Sequence, residues 1–280
     1  MTPVVAIVAP GNMGAAVGGR LTAHGVRVLT SLEGRSAASA KRAAAAELAA
    51  VGDAELAQAD YLLAVVPPKE AIALAERLAP ALGAANRKPI YVDCNAVSPA
   101  TVARIAAVIG ETGAPFVDGG IIGGPPREGY SGPKFYVSGT EAARVAELNR
   151  FGLTVRVVDG TIGAASALKL SYAGINKGMI AIGAAMVLAA QRAGVEADLM
   201  QELSESQRAL LAQLARGVPD MFSKAERWAP EMQEIAAYAG GGEAEIYAGM
   251  ARLYERLARD FGGKQEEIGA LAEFFADDQE

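Results

Sequence analysis

The chain has 280 residues, 51% of them hydrophobic, and a formal net charge of −6. That length accommodates one large domain or two ordinary ones with a substantial core, and the acidic balance argues against a protein built to bind nucleic acid or an anionic membrane. A single cysteine, Cys94, excludes an internal disulfide and fits a reducing, cytoplasmic setting.

No basic segment precedes the first apolar run, which argues against a secretion signal. Apolar runs of strand length occur at 4–9, 26–30, 61–66, 90–93, 116–118, 134–138 and 155–158. Helical stretches at 13–24, 36–51, 69–82 and 99–110 alternate with the earlier runs. Such alternation predicts an α/β domain over 1–160, a parallel sheet with helices on both faces. From 161 the strand signal disappears. A long helix rich in Ala and Gly is expected over 161–192, then three or four shorter helices with breaks near Gly217-Val218-Pro219 and Gly240-Gly241-Gly242, so that 161–280 forms an all-α domain. The longest uncharged apolar segment, 178–190, falls short of the about 18 residues that a bilayer span requires, and no membrane insertion is expected.

The first strand runs into Ala9-Pro10-Gly11-Asn12-Met13-Gly14, a variant of the G-x-G-x-x-G turn that binds dinucleotides at a strand-to-helix passage. Gly11 and Gly14 hold the second and third places, where backbone approaches a pyrophosphate and helix packs on strand. Alanine in the first place adds one methyl, tolerable unless that residue needs positive φ. A helix starting near Asn12 aims its free N–H groups at a phosphate, so the first domain reads as a Rossmann-like dinucleotide-binding unit. The end of the second strand, Thr30-Ser31-Leu32-Glu33-Gly34-Arg35-Ser36, carries both an acid and a base. Glu33 could hold the adenosine ribose, as in an NAD site. Ser31, Arg35 and Ser36, with Lys41 and Arg42 beyond, suit the extra phosphate of NADP. NADP is the favoured cofactor, with Glu33 facing solvent or paired to Arg35, and NAD the alternative.

Four segments in order, Ala9-Pro10-Gly11-Asn12-Met13-Gly14, Asp93-Cys94-Asn95-Ala96-Val97-Ser98-Pro99, Asp118-Gly119-Gly120-Ile121-Ile122-Gly123-Gly124 and Gly163-Ala164-Ala165-Ser166-Ala167-Leu168-Lys169, resemble the β-hydroxyacid dehydrogenase and 6-phosphogluconate dehydrogenase superfamily. The stretch KAERWAPEMQEIAAYAG resembles the branch with a C-terminal domain of poorly defined function. The resemblance implies hydride transfer between a nicotinamide and a small carbonyl or hydroxy substrate, with Lys169 as general acid/base. The residues alone give the same role a reason: the substrate oxygen needs a proton partner, no zinc cluster is apparent, and the one histidine, His24, falls at the expected surface.

The resemblance also implies roles for other residues. Val66 and Pro67 stand in the loop that lines the cofactor ribose, and Asn95 stands near nicotinamide and substrate. Ile122, Gly123 and Gly124 occupy the substrate-carboxylate segment, where the family carries serine rather than Ile122. The family's asparagine four residues after the lysine is replaced by Ala173; Asn176, seven residues on, returns to nearly the same helix face. Glu231 could stand for an acid of the family's C-terminal site, with Lys224 or Arg227 supplying charge and Trp228 beside it. A stripe of small residues, Gly174, Gly178, Gly183, Ala184, Ala185 and Ala189, would let the long helix pack closely against its equivalent in a homodimer. The Ile122 and Ala173 departures leave two other readings open: reduction of C=N substrates, and a dinucleotide-binding sensor or scaffold without turnover.

Overall fold

A computed structural model of the protein describes residues 2–130 and 132–276. Two compact units part at Leu170 and Ser171. The first contains β1 (Val4–Val8), α1 (Asn12–Thr22), β2 (Arg27–Thr30), α2 (Ala37–Ala45), β3 (Ala49–Ala50), α3 (Asp53–Leu56), β4 (Tyr61–Ala64), α4 (Ala71–Ala84), β5 (Ile90–Asp93), α5 (Pro99–Glu111), β6 (Phe116–Ile122), β7 (Lys134–Ser138), α6 (Ala142–Val145) and β8 (Thr154–Val157). The strands form one sheet in the order β3-β2-β1-β4-β5-β6-β7-β8. Every neighbouring pair is parallel except β6 with β7. The sheet is therefore mixed rather than wholly parallel: after Gly123 the chain doubles back through a loop bridged at Arg127 and Tyr130. Successive strands leave β1 in opposite directions, so the crevice between the carboxyl ends of β1 and β4 is the switch point where α/β sheets take ligands.

Alternation of side chains along the strands supplies both cores. Leu62, Tyr91, Leu74, Leu78, Ile105 and Ile109 fill the face under α4 and α5. Val5, Ile7, Val28, Leu63, Val17 and Leu21 fill the face under α1. The helix expected over 36–51 stops at Ala45 instead, because the chain turns at Glu47 (φ 56°) and continues as β3. Leu48 is then buried against Gly18, where a Cβ would lie 2.6 Å from its Cδ2.

The helix α7 (Ala164–Ala193) begins in the first unit. Its start is held by Asp118, which is fully buried. One carboxylate oxygen accepts from the backbone N–H groups of Gly163 and Ser166 (both 3.0 Å) and from Ser138 Oγ (3.1 Å); the other accepts from Ser166 Oγ (2.5 Å). Ser138 Oγ in turn accepts from Ala165 N at 3.1 Å. An anion on the first N–H groups of a helix meets the positive end of its dipole. Two residues along β6, a Cβ on Gly120 would lie 2.9 Å from both Ala165 O and Lys169 Cβ, so only glycine lets the helix lie this low on the strand. These ties explain why the units part ten residues later than the expected boundary at 160: the first turns of α7 are fastened to the sheet.

The second unit holds the rest of α7 with α8 (Glu196–Ser206), α9 (Arg208–Met221), α10 (Ala225–Ala239), α11 (Glu243–Phe261) and α12 (Glu266–Ala276). Five α-helices thus follow α7 among the described residues, against the three or four expected. The break expected at Gly217-Val218-Pro219 is absent, since Pro219 lies inside α9. The turn at Gly240-Gly241-Gly242 does separate α10 from α11. By length and mean hydropathy (1.5 over its most apolar window) α7 meets the requirements of a membrane span, which the uncharged run alone did not. In this unit one face of the helix is packed: Gly174 faces Tyr247 and Ile235, Gly178 faces Met250, and Gly183 faces Leu214. At these three glycines the small-residue stripe is occupied within the chain.

Replacing Asp118 by Ala removes a cap and strands buried donors. The expected loss is about 3 kcal/mol or more of unfolding free energy, read from urea denaturation, while Ser138→Ala costs about 1 kcal/mol.

Candidate functional site

The carboxyl ends of β1, β2, β4, β5 and β6 gather most of the residues singled out in the sequence. Gly11 precedes α1 as its N-cap, and no side chain caps the helix, leaving the first N–H groups around Asn12 and Met13 without a side-chain acceptor. A Cβ on Gly11 would meet nothing within 4 Å, whereas one on Gly14 would lie 2.1 Å from Ala9 O. The two glycines therefore do different work: Gly11 leaves space for an incoming group, and Gly14 lets α1 press on β1. Ala9 fits, because it is not among the described residues with positive φ, and its N–H donates to Val65 O at 3.2 Å.

Beyond β2, Ser31 is buried and Ser36 caps α2, accepting from Ser39 N at 3.3 Å. Arg35 bonds Glu70 at 3.1 Å rather than Glu33. Glu33 instead lies at the edge of ion-pair range of Arg77, 4.0 Å away, and its side chain is 74% exposed. Arg42, two turns into the segment, sends Nε to Pro10 O (3.3 Å) and Nη2 to Ser39 Oγ (2.9 Å). Its guanidinium thus stands beside the glycine turn, which its distance in sequence did not reveal. These serines and cations, with the open Gly11 cradle and the uncapped helix start, fit the phosphates of a dinucleotide.

Asn95 is buried, and its amide is engaged on both sides: Oδ1 accepts from Val66 N at 2.7 Å, and Nδ2 donates to Asp93 Oδ1. It ties the loop bearing Val66 and Pro67 to the end of β5. Ile122 ends β6 half-buried, with Gly123 and Gly124 exposed after it. Lys169 rises from beside Gly120, and its charge acts on Asp93 and Cys94 at the end of β5, favouring ionisation of each. Burial acts the other way and more strongly, pushing Asp93 up to about 7 and the Cys94 thiol well above its usual range.

Asn176, Trp228 and Glu231 belong to the second unit. The Asn176 amide donates to Tyr172 O of its own helix at 2.8 Å. Trp228 is 7% exposed and meets Tyr254 edge-on at 5.5 Å, a core position rather than an open platform. Glu231 pairs with Lys177, and Lys224 with Asp220 (2.5 Å), so the cation expected from Lys224 comes from Lys177. Arg227 stands 3.9 Å from the other Glu231 oxygen. The Lys177 ammonium lies 5.1 Å from the Trp228 ring centroid, and Tyr254 Oη donates to Lys177 O at 2.5 Å. Burial lowers the Lys177 pKa, and Glu231 opposes that shift. Only the spacing of Lys169 and Lys177, eight residues apart on one apolar helix, could have drawn attention to the second lysine.

Residues 190–257 match a domain of unknown function (DUF1932). A curated relative, an uncharacterized 28.5 kDa protein in the 7S RNA 5′ region of Methanothermus fervidus, is 29% identical over 216 residues, 76% of this chain and 82% of its own length. Among solved structures, the conserved protein MTH1747, of unknown function and described as similar to 3-hydroxyacid dehydrogenases, superposes with TM-score 0.70 at 27% identity, covering 92% of this chain and 98% of its own. The 3-hydroxyisobutyrate dehydrogenase of Mycobacterium tuberculosis, determined with L-serine, shares the fold over 100% of both chains at TM-score 0.68 and 18% identity. Residues 4–167 match the model for the NAD binding domain of 6-phosphogluconate dehydrogenase, and with more than half of its 280 residues so matched the chain belongs to that family of Rossmann-type nicotinamide-dinucleotide-binding oxidoreductases.

Proposed function

We propose that the protein is an NADP-dependent oxidoreductase that transfers hydride between the nicotinamide and a small carbonyl or hydroxy substrate, with Lys169 as general acid/base. The observation that carries this reading is the fastening of Lys169: Asp118 and Gly120 hold the first turns of α7 against β6, in the same sheet as β1, which carries the glycine turn, with β4 and β5 between them. When bound, the nicotinamide supplies or accepts the hydride. Gly11 and the start of α1 hold the pyrophosphate, and Ser31, Arg35, Ser36 and Arg42 hold the 2′-phosphate. The Lys169 ammonium donates a proton to the substrate oxygen during reduction and, as the free amine, accepts one during oxidation. Gly123 and Gly124 offer backbone N–H groups to a substrate carboxylate, and Ile122 narrows that end to a less polar ligand. Because Ile122 replaces a hydroxyl, C=N substrates are tested alongside carbonyls.

The second unit supports a homodimer through a different face from the small-residue stripe. Tyr172, Ile175, Ile182 and Met186 repeat along one side of α7 and are 51, 67, 52 and 56% exposed, an apolar stripe that water covers in a lone chain.

Three measurements test these assignments. Lys169→Ala is expected to lower turnover at least about 10³-fold across a panel of carbonyls, 3-hydroxy acids and imines, read as nicotinamide absorbance, with cofactor affinity changed less than about threefold. Failure of the wild type on the whole panel, with cofactor bound, favours a sensor or scaffold. Arg42→Ala combined with Arg35→Ala weakens NADPH binding about tenfold or more in fluorescence titrations while NADH changes little; tighter NADH than NADPH binding by the wild type overturns the NADP assignment. Ile175→Glu with Ile182→Glu converts a dimer to monomers in sedimentation, and a monomeric wild type overturns the interface.

A further inference from the structure

Asp93 ends β5, is fully buried, and takes no part in the binding or hydride transfer described above. It is the register partner of Asp118 across β5 and β6, so the two carboxyl groups stand side by side on the face of the sheet under α5. Their circumstances differ. Asp118 accepts four hydrogen bonds and anchors a helix. Asp93 accepts only at Oδ1, from the backbone N–H and side-chain amide of Asn95, and its buried Oδ2 has no partner. On the same face, two residues along β6, Gly120 supports the stem of Lys169. A half-satisfied carboxyl therefore lies one strand away from the point where the basic side chain rises.

The groups acting on Asp93 can be named. Burial and the Asp118 charge raise its pKa to about 7, while the Asn95 hydrogen bonds and the Lys169 charge lower it. Nearby, the phenol of Tyr91, two residues back on β5, and the thiol of Cys94, just after the strand, are held neutral by burial. Lys169 is thus the cation that opposes Asp118 at this position.

We propose that Asp93 is a positioning residue of the Lys169 centre, a buried carboxyl whose protonation is coupled to the charge of that lysine. The coupling is reciprocal: whatever the ammonium does to the proton affinity of Asp93, the carboxylate does equally to that of Lys169. Resting on the function proposed above, the consequence for reduction is charge balance. When the Lys169 ammonium gives its proton to the substrate oxygen, the Asp93 carboxylate takes up one proton from the buffered solution, whose acid form supplies it, so an ammonium–carboxylate pair becomes an amine and a carboxylic acid, neutral as a pair before and after.

The test uses the full chain labelled with [13C]aspartate and no substrate. One carboxyl resonance is expected to titrate near pH 7, to vanish in Asp93→Asn or, if that variant does not fold, in Asp93→Ser, and to move up by about half a pH unit or more in Lys169→Gln. In the reverse direction, the pH midpoint for labelling Lys169 with trinitrobenzenesulfonate, read by peptide mass spectrometry, falls in whichever Asp93 variant folds. A wild type with no carboxyl titrating above pH 5.5, or a midpoint unmoved by Lys169→Gln, overturns the coupling. Neither readout involves hydride transfer. Failure here leaves the proposed activity standing, and absence of turnover leaves the coupling standing.

Discussion

The buried Asp118 carboxylate is the contact on which the seating of α7 in the first unit rests. It accepts from two backbone N–H groups at the start of α7 and from two serine hydroxyls, one on the neighbouring strand and one on the helix itself. A charge buried this completely is tolerable only because every donor around it is supplied. The arrangement decides where the helix begins and how it is turned, and the missing side chain of Gly120 decides how closely it lies. Lys169 inherits its place from both.

The dinucleotide turn follows a similar division of labour. Gly14 is required by contact, because Ala9 O lies where its Cβ would be; at Gly11 a Cβ would meet nothing within 4 Å, and the space is open. Arg42 adds a cation to the turn by bonding the Pro10 carbonyl, so the phosphate end of the crevice is assembled from two segments about thirty residues apart. Asn95 braces the third, joining Val66 N to the Asp93 carboxyl. Rigid bracing of this kind keeps binding groups in place before a ligand arrives.

In the helical unit the same principle appears as an ion pair. Lys177 and Glu231 are each about one-seventh exposed, and the lysine is further held over Trp228. Removing one partner of such a pair leaves a desolvated charge, so the pair locks α7 against α10 more by the cost of breaking it than by the gain of forming it. Tyr254 completes the lock by donating to the Lys177 carbonyl.

The longer strands, the glycine turn and the long helix bearing Lys169 were legible in the sequence because each depends on local periodicity or on residues close together in the chain. Hydrophobic alternation located β1, β2 and β4 through β8, and missed only β3, whose two residues are too few to carry a period. The partners of charged groups were not legible. Arg35 bonds Glu70 rather than Glu33, Glu231 takes Lys177 rather than Lys224, and the small stripe of α7 is filled by Tyr247, Met250 and Leu214. Each choice was made among residues far apart in sequence, by which side chains the packed elements bring within reach. Sequence alone therefore determined the succession of the longer strands and the long helix that bears Lys169; tertiary structure decided which carboxylate anchors that helix, which lies half-satisfied beside it, and which cations face the turn, since hydrogen-bond reach of about 3 Å is a property of space and not of chain position.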